Sequence, residues 1–166
     1  YFVERKGTEK PLLYQRFPKV GIVCDTESHL ILAGVPERGP KFDREHFVPA
    51  LLEATHQTII QNLVADAMYD GEPHHVLSRE VYGITSIIPA FLGRWRGNLP
   101  KGKYRYQMAT KFNTALYRQR WQVETVISML KRNLGSCLRA RTYWSQCREI
   151  MLRILTHNMM ILLCVK

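Results

Sequence analysis

The chain has 166 residues, 46% of them apolar and 23% charged, a globular composition that excludes a disordered or low-complexity protein. Lys and Arg number 24 against 14 Asp and Glu, and the formal charge of +10 points to a polyanionic partner or to a solvated basic surface. Four cysteines with no CxxC pair exclude a disulfide scaffold and a zinc ribbon, so a cytoplasmic, reducing setting is expected.

The first fifteen residues, with Glu4, Arg5, Lys6, Gly7, Glu9, Lys10 and Pro11, read as an irregular polar lead-in. The runs Lys19 to Cys24 and Leu30 to Val35 are apolar and β-branched, and the turn formers Asp25 to His29 lie between them. A β-hairpin is expected. Asp43 is placed to cap a helix whose positions Phe47, Leu51, Ala54 and Thr58 step by four, three and four, with Pro49 loosening its start. An apolar strand follows through Leu63, Val64 and Ala65 and ends at Asp66. Asp70 then caps a short helix with Pro73 in its first turn, closing near Gly83. Ile84 to Ile88 reads as a further strand stopped by Pro89. The alternation of strands and helices is that of an α/β domain with a mixed sheet.

The charge is unevenly placed. Residues 1–100 carry 11 Lys/Arg and 12 Asp/Glu, whereas residues 101–166 carry 13 Lys/Arg and only Glu124 and Glu149. From about 91 to 113, Arg94, Arg96, Lys101, Lys103, Arg105 and Lys111 interleave with Phe91, Trp95, Tyr104, Tyr106 and Phe112. Cations neutralise phosphates and aromatic faces stack on bases, so one reading is a nucleic-acid-contacting insertion. The other is a basic loop whose aromatics tuck into the core.

Leu116 to Leu134 contains no Gly or Pro, and Gly135 stops it, which predicts one long helix. Its stripe of Leu116, Val123, Ile127, Leu130 and Leu134 would face a sheet. Beside it Tyr117, Arg120, Glu124 and Lys131 fall within an arc of roughly 60°. A carboxylate among cations is either half of an i,i+4 salt bridge with Arg120 or a ligand for a divalent ion acting on a phosphodiester. Spacing alone favours the salt bridge. The final apolar stretch, Ile154 to Val165, is too short to span a bilayer and carries His157 and Asn158. No signal segment opens the chain, so neither a membrane nor a secreted protein is expected.

The set Tyr117-x2-Arg120-x3-Glu124-x6-Lys131 resembles the Tyr–Arg–Glu–Lys signature of DDE transposases from bacterial insertion sequences. Leu63 to Asp70 is similar to the strand-end segment carrying that family's second aspartate, with Met68 where Gly is usual. Thr156-His157-Asn158 also resembles the family's last helix, and the likeness runs from about Tyr14 to the C-terminus. The resemblance implies an RNase H-like α/β catalytic domain over residues 1–166: a mixed sheet flanked by helices, with a basic aromatic-rich insertion at about 91–113. It implies DNA strand cleavage and transfer, with three acids holding two Mg²⁺ ions (Mn²⁺ as substitute) about 3.5–4 Å apart. Asp66 and Glu124 would then be catalytic metal ligands, and Tyr117, Arg120 and Lys131 would hold DNA phosphates. The partners implied are double-stranded DNA at the element ends and target and, for the full-length protein, a second copy in a homodimer. The setting implied is the cytoplasm at the nucleoid.

Family members carry their first acid on an opening strand upstream of the hairpin. The matching residue is expected before Tyr1, which makes this chain a fragment lacking the first strand and inactive on its own. Asp25 is the alternative first acid, although its place before Thr26, Glu27 and Ser28 reads as a turn. A non-catalytic DNA-binding remnant of a transposase is the competing function. His74 and His75 point to different sides and lack a carboxylate at ligand spacing. Cys137 and Cys147 read as small core or surface residues, and Trp121 as packing or as a stacking surface for DNA.

Overall fold

The computed structural model describes residues 2–3, 14–15, 17–39, 43–92 and 99–164. Glu4 to Pro11 of the polar lead-in, and Arg94, Trp95 and Arg96 of the basic segment, lie outside them. The lead-in is not wholly irregular: β1 (Phe2–Val3) and β2 (Tyr14–Gln15) pair antiparallel, Phe2 opposite Gln15.

The expected hairpin is formed by β3 (Pro18–Cys24) and β4 (Ile31–Arg38), antiparallel from Pro18 opposite Arg38 to Cys24 opposite Ile31, with an irregularity at Val23/Cys24. Its turn is built by Asp25, whose carboxylate accepts the Ser28 N–H at 2.7 Å and hydroxyl at 2.5 Å while its own N–H donates to Leu30 O at 2.9 Å. His29 closes the turn in the left-handed region, at φ 63°. Two helices hold that strained tip: His29 Nε2 meets Gln122 Oε1 at 2.8 Å, and His157 Nε2 meets His29 O at 3.0 Å. Beside it the Asn158 amide accepts from Ile31 N at 2.9 Å and donates to Ile31 O at 2.8 Å, pairing both backbone groups as a neighbouring strand would. The Thr156-His157-Asn158 segment thus fastens α6 (Tyr143–Cys164) to the hairpin.

Helix α1 (Phe47–Gln57) begins later than Asp43, after a 3₁₀ turn over Asp43–His46. Pro49 is its third residue, where a backbone N–H has no partner within the helix, so the proline costs nothing there. Ala50 and Ala54 bring α1 close against Ala33 of β4, while Phe47 and Leu51 pack with Leu63, Ile84 and Ile88. Strands β5 (Asn62–Val64) and β6 (Thr85–Ile87) pair in parallel, Leu63 opposite Ser86. Their crossover holds α2 (Glu72–Val76), extended by a π-helical turn over Leu77–Val81, and Gly83 follows at φ 67°.

Asp70 does not cap α2; Gly71 stands at that position. The Asp70 carboxylate is instead buried in a bidentate pair with Arg105, at 2.6 Å to Nη2 and 2.9 Å to Nε, and accepts the Phe91 N–H at 2.8 Å. Glu72 accepts the N–H groups of Tyr104 and Arg105, each at 3.0 Å, and so caps α3 (Lys103–Thr110). The Tyr104 ring is buried, and its hydroxyl donates to Glu80 at 2.8 Å. For this half of the basic segment the core-anchored reading holds, whereas Phe91 and Tyr106 remain exposed.

The two histidines are core residues. His74 stacks on Phe47 with ring centroids 4.2 Å apart, and His75 is fully buried with Nδ1 at 2.8 Å from Ser86 Oγ. Arg79 Nε donates to that same Oγ at 3.0 Å, so one serine hydroxyl joins the histidine and the guanidinium. Burial, then the Arg79 charge, pushes the His75 pKa down to about 4. Unfolded His75 binds a proton near pH 6.5 and the folded residue does not, so its contribution to stability is present above pH 6.5 and is lost as pH falls toward 4. The expected loss is of the order of 2 kcal/mol. Urea unfolding from pH 7.5 to 4.5 should show the decline, and His75→Gln should flatten that part of the curve.

The long helix expected from 116 to 134 is continuous in chain but not in form. It comprises α4 (Thr114–Tyr117, capped by Asn113), a 3₁₀ turn over Arg118–Trp121, and α5 (Gln122–Leu134), ended by Gly135 at φ 91°. Val126, fully buried against Ile31 and Ile154, is the centre of its contact with the hairpin.

The hairpin and the parallel pair do not join into one mixed sheet among the described residues. A cavity of about 870 Å³ separates β3 from β5. Residues 20–26 on one side and 57–66 on the other line it without a gap. A strand turns alternate residues to alternate faces, so an unbroken run marks an edge rather than a face. Each of these strands has its partner on its other side. Phe47, Ala50 and Leu51 of α1 line the cavity along with Leu116, Val123 and Ile127 of α4 and α5. The expected mixed sheet is therefore interrupted where two strand edges face each other between helices.

Candidate active site

Asp66 lies two residues past the end of β5, in extended conformation (φ −68°, ψ 157°), and caps the 3₁₀ turn Ala67–Tyr69 by accepting the Met68 N–H at 3.4 Å. Met68 supplies only that N–H and an exposed side chain, so its replacement of Gly leaves the turn intact. Glu124 stands in the first turn of α5. The two acids are 58 positions apart in sequence and meet on one guanidinium: Arg120 Nη2 donates to Glu124 Oε1 at 2.6 Å, and Nη1 lies 3.5 Å from Asp66 Oδ2. Asp66 and Arg120 also line the cavity between the strand edges. The Arg120–Glu124 contact is visible as an i,i+4 spacing; the Asp66–Arg120 contact has no local spacing to show it, and only the family resemblance puts the two residues in one site.

Exposure decides what this cluster contributes. The side chains of Asp66 and Glu124 are 50% and 61% exposed and Arg120 is 30% exposed. Ion pairs so wetted add about 0–1 kcal/mol to stability, so folding alone gives little reason to gather them. Tyr117 packs edge-on against Phe112, with centroids 5.0 Å apart. Burial and then the Asp66 charge raise its phenol pKa, with Arg120 pulling the other way, so it keeps its proton beside the carboxylate. Lys131 is exposed two turns further along α5, about 10 Å down the axis from Glu124. The structure therefore brings Asp66, Arg120, Glu124 and Tyr117 together and leaves Lys131 on the flank.

Asp25 lines the same cavity, but its carboxylate is occupied by Ser28. Burial pushes its pKa up, and the Ser28 hydrogen bonds outweigh this and hold it below the usual range. Trp121 is exposed rather than packed. All four cysteines are free. Cys147 is buried, Cys137 is exposed, and burial pushes the Cys24 thiol up to about 11, an unreactive value.

No group of three His, Cys, Asp or Glu suited to a metal occurs among the described residues. Two carboxylates around one cation do suit a single hard ion, since Mg²⁺ is commonly held by one or two carboxylates with phosphate oxygens and water completing its shell. Among the described residues no helix is long and apolar enough to cross a membrane.

No curated protein and no solved structure matches the chain. A family model described as "Transposase DDE domain" matches residues 4–159, which include Asp66, Tyr117, Arg120, Glu124 and Lys131. That match covers nearly the whole chain, and the mixed α/β architecture is the RNase H-like one of such domains. The chain belongs to the DDE transposase family, whose substrate is DNA.

Proposed function

We propose that the chain carries two of the three acids of a metal-dependent transposase that cleaves and joins DNA strands of an insertion sequence. The observation that carries this is the convergence of Asp66 and Glu124 on one cation at a cavity between the edges of β3 and β5. Asp66 and Glu124 would hold divalent metal, Mg²⁺ or Mn²⁺. When bound, the metal supplies Lewis acidity at the phosphoryl group and a lowered pKa for coordinated water.

The chain's own residues do the positioning. Arg120 offers a planar fork to a phosphate, and Tyr117 a protonated hydroxyl on the same side. Lys131 adds a point charge on the flanking DNA. An extended apolar segment seated between β3 and β5 would complete the sheet, pack against α1 and α5, and bring the third carboxylate. The protein acts on double-stranded DNA at the nucleoid, as a homodimer when full length.

The test is nicking of DNA that bears the element ends, with Mg²⁺ or Mn²⁺. The 166-residue chain is expected to leave such DNA intact. The same frame extended upstream by its coding sequence should cut it, and Asp66→Asn should abolish the cut. Robust nicking by the 166-residue chain, lost in Asp25→Asn, would instead make Asp25 the third acid. The competing reading, a DNA-binding remnant without chemistry, is favoured by the presence of only two acids in the cluster among the described residues. DNA binding without cleavage in the extended frame would establish it.

A further inference from the structure

Arg120 uses both ends of its guanidinium on the two acids, 2.6 Å to Glu124 and 3.5 Å to Asp66. A divalent cation bound by these carboxylates would face a fixed positive charge in the same space. The carboxylates are 50% and 61% exposed, so the pairs are cheap to open, and Arg120 reaches them on a long side chain from the short 3₁₀ turn ahead of α5. The same planar fork fits a phosphate as well as a carboxylate.

We infer that Arg120 is a removable counter-cation: it clasps Asp66 and Glu124 until metal displaces it onto a DNA phosphate, so that metal and DNA each tighten the binding of the other. This rests on the reading of Asp66 and Glu124 as metal ligands. It adds an order of assembly, because a site without DNA keeps its own cation and resists metal. Reciprocity follows from linkage: whatever factor DNA adds to metal affinity, metal must add to DNA affinity.

The test is Mn²⁺ titration of the chain, with free Mn²⁺ read by electron paramagnetic resonance, with and without short duplex DNA at low salt. Removal of the competing charge in Arg120→Gln is expected to tighten Mn²⁺ binding by about tenfold, within the usual range of coupling between sites. Saturating DNA should tighten Mn²⁺ on the unsubstituted chain and have much less effect on Arg120→Gln. Arg120→Lys, which keeps the charge but not the fork, should fall between the two and guards against a folding effect of the Gln variant.

Equal or weaker Mn²⁺ binding by Arg120→Gln, with binding lost in Asp66→Asn and Glu124→Gln, would overturn the counter-cation and leave the carboxylate site standing. Mn²⁺ affinity unchanged in Asp66→Asn and Glu124→Gln would remove the site itself, and the counter-cation with it.

Discussion

Glu124→Gln is expected to reduce DNA strand cleavage by at least about a thousandfold, roughly 4 kcal/mol of activation free energy, in any preparation of the protein that cleaves. The amide keeps the size and polarity of the carboxylate but supplies no charge to a metal and reduces the 2.6 Å contact with Arg120 to a hydrogen bond with a neutral acceptor. That contact is half exposed, so the fold should lose no more than about 1 kcal/mol. DNA affinity measured without divalent metal should not fall, because Arg120 is then freer to meet a phosphate. Cleavage kinetics beside fluorescence anisotropy on the same DNA separate the two effects. Parallel loss of binding and stability would mean that Glu124 is a structural partner of Arg120 and no more.

Asp70→Ala carries the largest expected cost to stability, about 2–3 kcal/mol. The Asp70 side chain is 3% exposed, and its removal takes the acceptor from the Phe91 N–H and the counter-charge from Arg105, which is 29% exposed and keeps only a 3.4 Å contact to Phe91 O. Against a total of about 5–15 kcal/mol for a domain, this removes a large part of the stability and should shift the urea midpoint well down. The double variant Asp70→Leu with Arg105→Met removes both charges and should recover much of the loss, since it is the unpaired partner that is costly. Urea unfolding of the single and double variants measures this. A loss below about 1 kcal/mol in Asp70→Ala would show that the pair contributes little, and would return Arg105 to the cations available for DNA.

These two acids show how far the sequence could be read. Asp66 and Asp70 lie four residues apart in one short segment, and nothing in their local pattern separates a site residue from a buried partner. The family likeness singled out Asp66. Only the packing of α3 against the crossover showed that Asp70 holds Arg105. The interleaved cations and aromatics of the basic segment were equally ambiguous, because a phosphate and a buried carboxylate ask for the same guanidinium. Helix caps misled for a related reason. Asp43 and Asp70 have the right chemistry for an N-cap, but α1 starts four residues after Asp43, and Gly71 takes the cap position of α2.

By itself the sequence determined the local elements and the reach of the family likeness. Alternating apolar runs around Asp25–His29 give the hairpin, the residues between Leu116 and Gly135 give the helical segment, and the Tyr–Arg–Glu–Lys spacing points to a transposase. These depend on neighbours within a few turns or strand positions, where periodicity and turn chemistry act. The tertiary structure alone decided which distant groups meet. It placed Asp66 against Arg120, used Asn158 to pair Ile31, and set the edges of β3 and β5 on opposite sides of one cavity. Such contacts are fixed by how helices and strands pack, and that depends on the whole core rather than on any local spacing.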